Sequence, residues 1–411
     1  MANNETTALI PGPVKRTWIN LFLAFTAVGA VTFLALARLQ PREAWQAFLA
    51  NFLLFSAIAQ GGLLFSTLMH TVRARWSSPL ASVAEALTAF FPVSLILFAI
   101  LFIGRTHLFP WLHAELHGKE DWLNIPFLFL RDLAGLTILY GLGLAYLYHA
   151  LYFRLKPALS TAEPATTGLA RWLIRRWNRK PPEEATYRQR MTVLAIAYML
   201  AFALVLSLIG YDLVMSMDPH WYSTLFGAYS FVKAIYVGFG AIIILAALLH
   251  GDRSNDFQVA PAQFHDMGKL FFAFCLVWAD FFYVQLVVIW YGNISEETSY
   301  VIQRTMLAPW NAMAWTVFGV CFIIPFVILL NRKIKTMPRA MILLCSAAIA
   351  GMWIEHFLLL RPAYTHGEPV APLYFSDVLI MFGFLGLMAS AVAFYLNTFP
   401  GITAMRSKEV A

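Results

Sequence analysis

The sequence predicts an all-α protein that crosses a membrane ten times. Three observations predict it. Charged residues make up 12% of the 411-residue chain, about half the ~25% usual in soluble domains. Hydrophobic residues make up 60%, and the mean hydropathy is +0.67. Ten apolar runs have the length of about 20 residues that an α-helix needs to span a bilayer. Such a chain cannot cover a water-facing surface, so a soluble enzyme, a disordered chain and a nucleic-acid binder are excluded.

The ten spans are expected near 17–38, 45–70, 81–104, 123–150, 191–211, 222–249, 266–291, 306–330, 339–360 and 372–397. The first follows a polar tail ending in Lys15–Arg16 and has no small-residue cleavage site. It therefore reads as an uncleaved span rather than a signal peptide. Pro92, Pro309 and Pro325 fall inside spans, where each frees a backbone carbonyl for water or a neighbouring side chain. The whole of 1–411 is expected to form one integral membrane domain, with two four-helix bundles and two flanking helices.

Charge placement predicts the orientation. The net charge is +7. With the N-terminus inside, 21 of the 29 basic residues fall on the inner side, six on the outer side, and Arg131 and Lys233 within spans. This is the positive-inside pattern for a protein with both termini in the cytoplasm. The basic excess thus orients the chain and attracts anionic lipid. The longest inner loop, 154–190, carries Arg171-Trp-Leu-Ile-Arg-Arg-Trp-Asn-Arg-Lys180. It reads as a basic amphipathic helix lying on the cytoplasmic leaflet.

Cysteine and histidine content limits the cofactors. Cys275, Cys321 and Cys345 all lie in apolar runs and no CxxC pair exists, whereas an iron–sulfur cluster takes about four thiolates. His113 and His117 stand four apart in an outer loop, but no further ligand accompanies them and the neighbouring charges suit a solvated loop. No metal site and no redox cofactor are expected on this chain.

Ionisable residues inside spans cost roughly 2.5–3.5 kcal/mol each on insertion scales, so each is a candidate for function. Arg131, Asp132, Asp212, Lys233, Asp280, Glu355, His356 and Asp377 are the expected proton-transfer residues. Lys233 and Asp280 fall at matched depth on consecutive antiparallel spans, and an ion pair between them is the expectation. The other six lie toward the outer face and could relay protons. His356 or Asp377 could alternatively accept a proton from a bound quinol. His70, Glu85 and His149 near the inner ends could take up protons from the cytoplasm. The same charges could also merely fix helix register in a scaffold.

Two stretches are long and non-repetitive. One is Asp212-Leu-Val-Met-Ser-Met-Asp-Pro-His-Trp-Tyr-Ser-Thr-Leu-Phe-Gly227. The other runs from Gly268-Lys-Leu-Phe-Phe-Ala-Phe through Gln285 to Ile289-Trp-Tyr-Gly-Asn-Ile-Ser-Glu-Glu-Thr298, with Arg304 following. Through these motifs the chain resembles the ActF-type subunit of bacterial alternative complex III, the smaller of its NrfD-like membrane subunits. The resemblance covers about 15–400. It implies a multi-pass subunit of a quinol:cytochrome c-type oxidoreductase in the bacterial inner membrane, not catalytic alone and supporting proton translocation. Haem c and iron–sulfur clusters would sit in partner subunits beside a sister NrfD-like membrane subunit. The seventh span departs from the family pattern at Trp278-Ala-Asp280-Phe-Phe-Tyr-Val-Gln285, which sets Asp280 and Lys233 apart as features of this branch.

Overall fold

A computed structural model describes residues 14–113, 115–116, 118–159, 168–252, 257–364 and 371–400. His117 lies outside them. Ten helices are long and apolar enough to cross a membrane: Arg16–Leu39, Pro41–Thr71, Arg75–Leu108, Ile125–Lys156, Glu184–Met217, Leu225–Gly251, Pro261–Gly292, Trp310–Leu329, Pro338–Tyr364 and Phe375–Thr398. They are called the first to tenth spans below. All ten agree with the runs read from the sequence, and no strand occurs among the described residues.

Spans two to five form one bundle and spans six to nine a second. The first and tenth pair with each other and flank the second span. The second span is the axis of the molecule: 94% of its most apolar window is buried, against 6% for the first. It packs on the sixth span through Gly61 and Gly238, where a Cβ on either would strike the other helix's backbone. Gly29 and Gly383 allow the same close approach between the first and tenth spans. Lipid tails are as apolar as leucine, so helix association in a membrane depends on such close contact rather than on hydrophobic burial.

Proline sets the local breaks. The third span changes to a 3-10 turn at Leu87–Phe90, just before Pro92. In the eighth span, Pro325 cannot donate to the carbonyl of Cys321, and Gly319–Ile323 widens into a π turn. The Tyr236 hydroxyl donates to that carbonyl at 3.0 Å instead, and the Cys275 thiol approaches it at 3.4 Å. The freed carbonyl is thus met by neighbouring side chains.

Gly168–Arg179 forms the expected amphipathic helix between the fourth and fifth spans. Ala170, Leu173, Ile174 and Trp177 are buried while the arginines face outward. The Trp177 indole donates to the Tyr148 hydroxyl at 3.0 Å, which fixes the helix to the fourth span.

Candidate functional site

Four carboxylates of the spans are buried in ion pairs, and they fall into two kinds. Three are held by arginine. Toward the predicted inner end, Arg154 grips Glu85 at 2.6 and 2.7 Å, and the Ser66 hydroxyl donates to the same carboxylate at 2.8 Å. Toward the predicted outer end, Arg131 grips Asp212 at 2.6 and 2.7 Å while stacking on Trp122, whose indole also donates to Asp212. Arg361 reaches Asp377 at 2.8 Å, both fully buried, and the other Asp377 oxygen caps its own helix at the Tyr374 amide. Arginine carries a permanent charge and a planar fork that fits a carboxylate. These three pairs are clamps between spans.

The fourth pair differs. Lys233 of the sixth span donates to Glu355 of the ninth at 2.9 Å. Tyr229, one turn before Lys233, donates its hydroxyl to the other Glu355 oxygen. Glu355 is wholly buried and Lys233 is 6% exposed. The spacing i, i+4 puts Tyr229 and Lys233 on one face of their helix, and that face meets the ninth span.

The expected Lys233–Asp280 pair is therefore corrected. Asp280 is exposed on the seventh span. That span buries Phe271, Cys275 and Trp278 at helical spacing, and Asp280, two residues past Trp278, is turned about 200° from that face. Depth along a helix can be counted from the sequence, but the direction in which a side chain points depends on which face packs. Lys233 lies about 12 Å from the start of its helix, and Asp280 about 18 Å from the end of its own, so the depths also differ.

A cavity of about 40 Å³ opens beside Lys233. Lys233, Ser230, His356, Ser56 and Gln60 supply its polar lining among apolar residues of the second, fourth, fifth, sixth and ninth spans. That volume has room for a few waters. The His356 Nδ1 lies 2.7 Å from the Met352 carbonyl, which can only accept, so Nδ1 carries the proton and Nε2 is the ring's acceptor. Ser56, Ser94, Tyr140 and Gln60 form a linked set of hydrogen bonds of 2.6 to 2.8 Å. The Gln60 carbonyl oxygen Oε1 is buried with no protein partner. A buried acceptor beside a cavity that other polar side chains also line is a place for water.

The remaining candidates separate. Asp132 is fully buried against Asp212, and neither of its oxygens meets a donor. Near the inner end, His70 bonds Thr192 at 3.0 Å and lies edge-on to Tyr146. Tyr146 in turn contacts Ser66, the partner of Glu85. His149 packs instead on Tyr148 and Tyr187. His70 and Glu85 thus approach one network and His149 joins another. His356 faces the cavity, whereas Asp377 is fixed by Arg361, so the two belong to different surroundings.

Sequence reasoning missed Tyr229, Gln60, Tyr140 and Ser66, and it counted Arg154 and Arg361 only as loop charges. Ser56 and Gln60, four apart on the most buried span, were a readable signal.

The fold and these pairs define a multi-pass membrane protein with ionisable groups deliberately buried between helices. The chain matches the family model described as polysulphide reductase, NrfD, over residues 36–367, and it belongs to that family. The match spans the second to ninth helices, which are the two bundles, and stops before the tenth. No curated protein matches the chain. Members of this family are membrane subunits of quinone-interacting oxidoreductases.

Proposed function

We propose that this chain is the ActF-type membrane subunit of an alternative complex III in a bacterial inner membrane, with both termini cytoplasmic. It supports proton transfer linked to quinol oxidation and carries no redox centre of its own. Its partners are a sister NrfD-like membrane subunit, an iron–sulfur subunit and c-type cytochrome subunits, which hold the clusters and haems. The observation that carries the proton-transfer reading is the Lys233–Glu355 pair beside a water-sized cavity whose mainly apolar wall carries Lys233, Ser230, Ser56, Gln60 and His356.

A proton passing from the Lys233 ammonium to the Glu355 carboxylate turns an ion pair into a neutral pair. The gap is a single hydrogen bond of 2.9 Å. Tyr229 holds the carboxylate in place as the charge changes. Waters in the cavity can link Lys233 to the Gln60 carbonyl and to the Ser56–Ser94–Tyr140 set. From Gln60 to Ser66, where the Glu85 network begins, is about 9 Å along the second span. On the outer side, Asp132 beside Asp212 is a place where a proton can be held.

The test is Glu355→Gln in the whole complex, reconstituted in vesicles. Glutamine keeps the size and one acceptor oxygen for Lys233, its amide N–H can donate to the Tyr229 hydroxyl, and it cannot take the proton. Quinol oxidation is expected to continue while protons moved per electron fall by at least half. An unchanged ratio removes Glu355 from the path.

A further inference from the structure

The two long sequence motifs converge on a second pocket, which meets the proton-transfer residues only at Tyr229. Trp221 comes from the first motif; Gln285, Ile289 and Arg304 come from the second stretch, and Tyr300 lies between Thr298 and Arg304. With Leu286 they line a cavity of about 70 Å³ at the predicted outer end of the second bundle. Trp221 stacks on Tyr300 with ring centres 3.7 Å apart, and the Arg304 guanidinium lies 3.5 Å from the centre of the Tyr300 ring. The stack builds one rigid wall from the loop before the sixth span and the short helix Ser295–Thr305.

That wall carries unused donors. Arg304 is 4% exposed. Its two terminal nitrogens donate to the carbonyls of Tyr300 and Leu359, but its Nε has no protein partner. Trp221 is 2% exposed and its indole Nε1 also has none. Asp218 stands 3.9 Å from an Arg304 terminal nitrogen, an ion pair beyond hydrogen-bond distance. Burial works against the guanidinium charge and lowers its pKa from the ordinary value. The buried cation thus has two neutral acceptors, one loose ion pair and an Nε–H with no protein partner.

The surroundings say which anion. Gln285 is half-buried and Leu286 is exposed, so the pocket opens on the lipid-facing side of the seventh span. The neighbouring turn and short helix expose Trp290, Tyr291, Ile294, Ile302 and Met306. Aromatic and apolar residues exposed beside a span's end mark head-group depth. At that depth the anion at hand is a phosphodiester, with an acyl chain beside it to lie along Leu286.

We propose that this pocket binds one phospholipid, its phosphate accepting from Arg304 Nε and Trp221 Nε1 and its acyl chain following the Leu286 groove. The pocket shares Tyr229 with the Lys233–Glu355 pair, but its donors, Arg304 and Trp221, take no part in that relay.

The purified complex, washed in mild detergent, is titrated with phosphatidylglycerol, with inorganic phosphate and with a short-chain quinone, and bound ligand is counted by native mass spectrometry. Two variants spare the fold. Trp221→Phe keeps an aromatic ring against Tyr300 and removes the donor together with part of the indole, and Leu286→Trp fills the exposed mouth. The expected result is one phosphatidylglycerol per chain. Its affinity should fall roughly tenfold in Trp221→Phe, the size of one hydrogen bond to a charged group, and at least as far in Leu286→Trp. Phosphate and quinone should not displace it. Lipid retention equal in wild type and both variants overturns the proposal. Displacement by inorganic phosphate alone makes the ligand a free anion, and displacement by the quinone makes it a quinone site; either also overturns it.

Discussion

Glu85 and Glu355 are both buried completely, both paired with a cation and both hydrogen-bonded by a hydroxyl. They nevertheless sit in different chemistry. Glu85 is gripped at two points by an arginine that never gives up its proton. Glu355 meets a lysine, a compact charge that can lose its proton when buried, and that lysine borders a cavity with room for water. The comparison teaches that burial of charge alone does not mark a proton path. The cation's identity and the space beside it distinguish a clamp from a relay. By that criterion Asp212 and Asp377 are clamps.

The largest expected effect comes from breaking a clamp. Glu85→Ala leaves Arg154 buried without its carboxylate and should cost about 3–5 kcal/mol, read as a lower unfolding temperature and less assembled complex. The double variant Glu85→Leu with Arg154→Met should recover most of that loss, because an apolar pair of similar volume replaces a buried ion pair at little cost. The matching double variant Lys233→Met with Glu355→Leu should also fold, yet lose proton coupling. Recovery of coupling in that second double variant would erase the distinction between the two kinds of pair. The smallest effect is expected from Asp280→Asn. Asp280 is exposed on its span and outside the buried pairs, so the proton-to-electron ratio should not move.

The spans were legible because their signal is composition over about 20 residues, which tertiary packing hardly alters. The amphipathic helix at Gly168–Arg179 was legible for a similar reason, since its alternation of arginine with apolar residues is local. The site was legible in its members but not in its pairings. Glu355, Lys233 and Glu85 each stand out as charges in apolar runs. Which of them meet depends on helix rotation, and rotation is fixed by contacts such as Gly61 on Gly238 between residues 177 positions apart. The uncharged participants were harder still. Tyr229 and Gln60 have ordinary roles in membrane helices, and only the neighbouring Glu355 carboxylate and the cavity give them another.

Lys233→Arg tests the central claim most directly. It keeps the positive charge and the bond to Glu355 but replaces a cation that can release its proton with one that cannot. Measured in vesicles holding the intact complex, quinol oxidation should persist and protons moved per electron should fall as in Glu355→Gln. A fully assembled Lys233→Arg complex with the wild-type ratio would contradict the account and make this pair a fourth clamp.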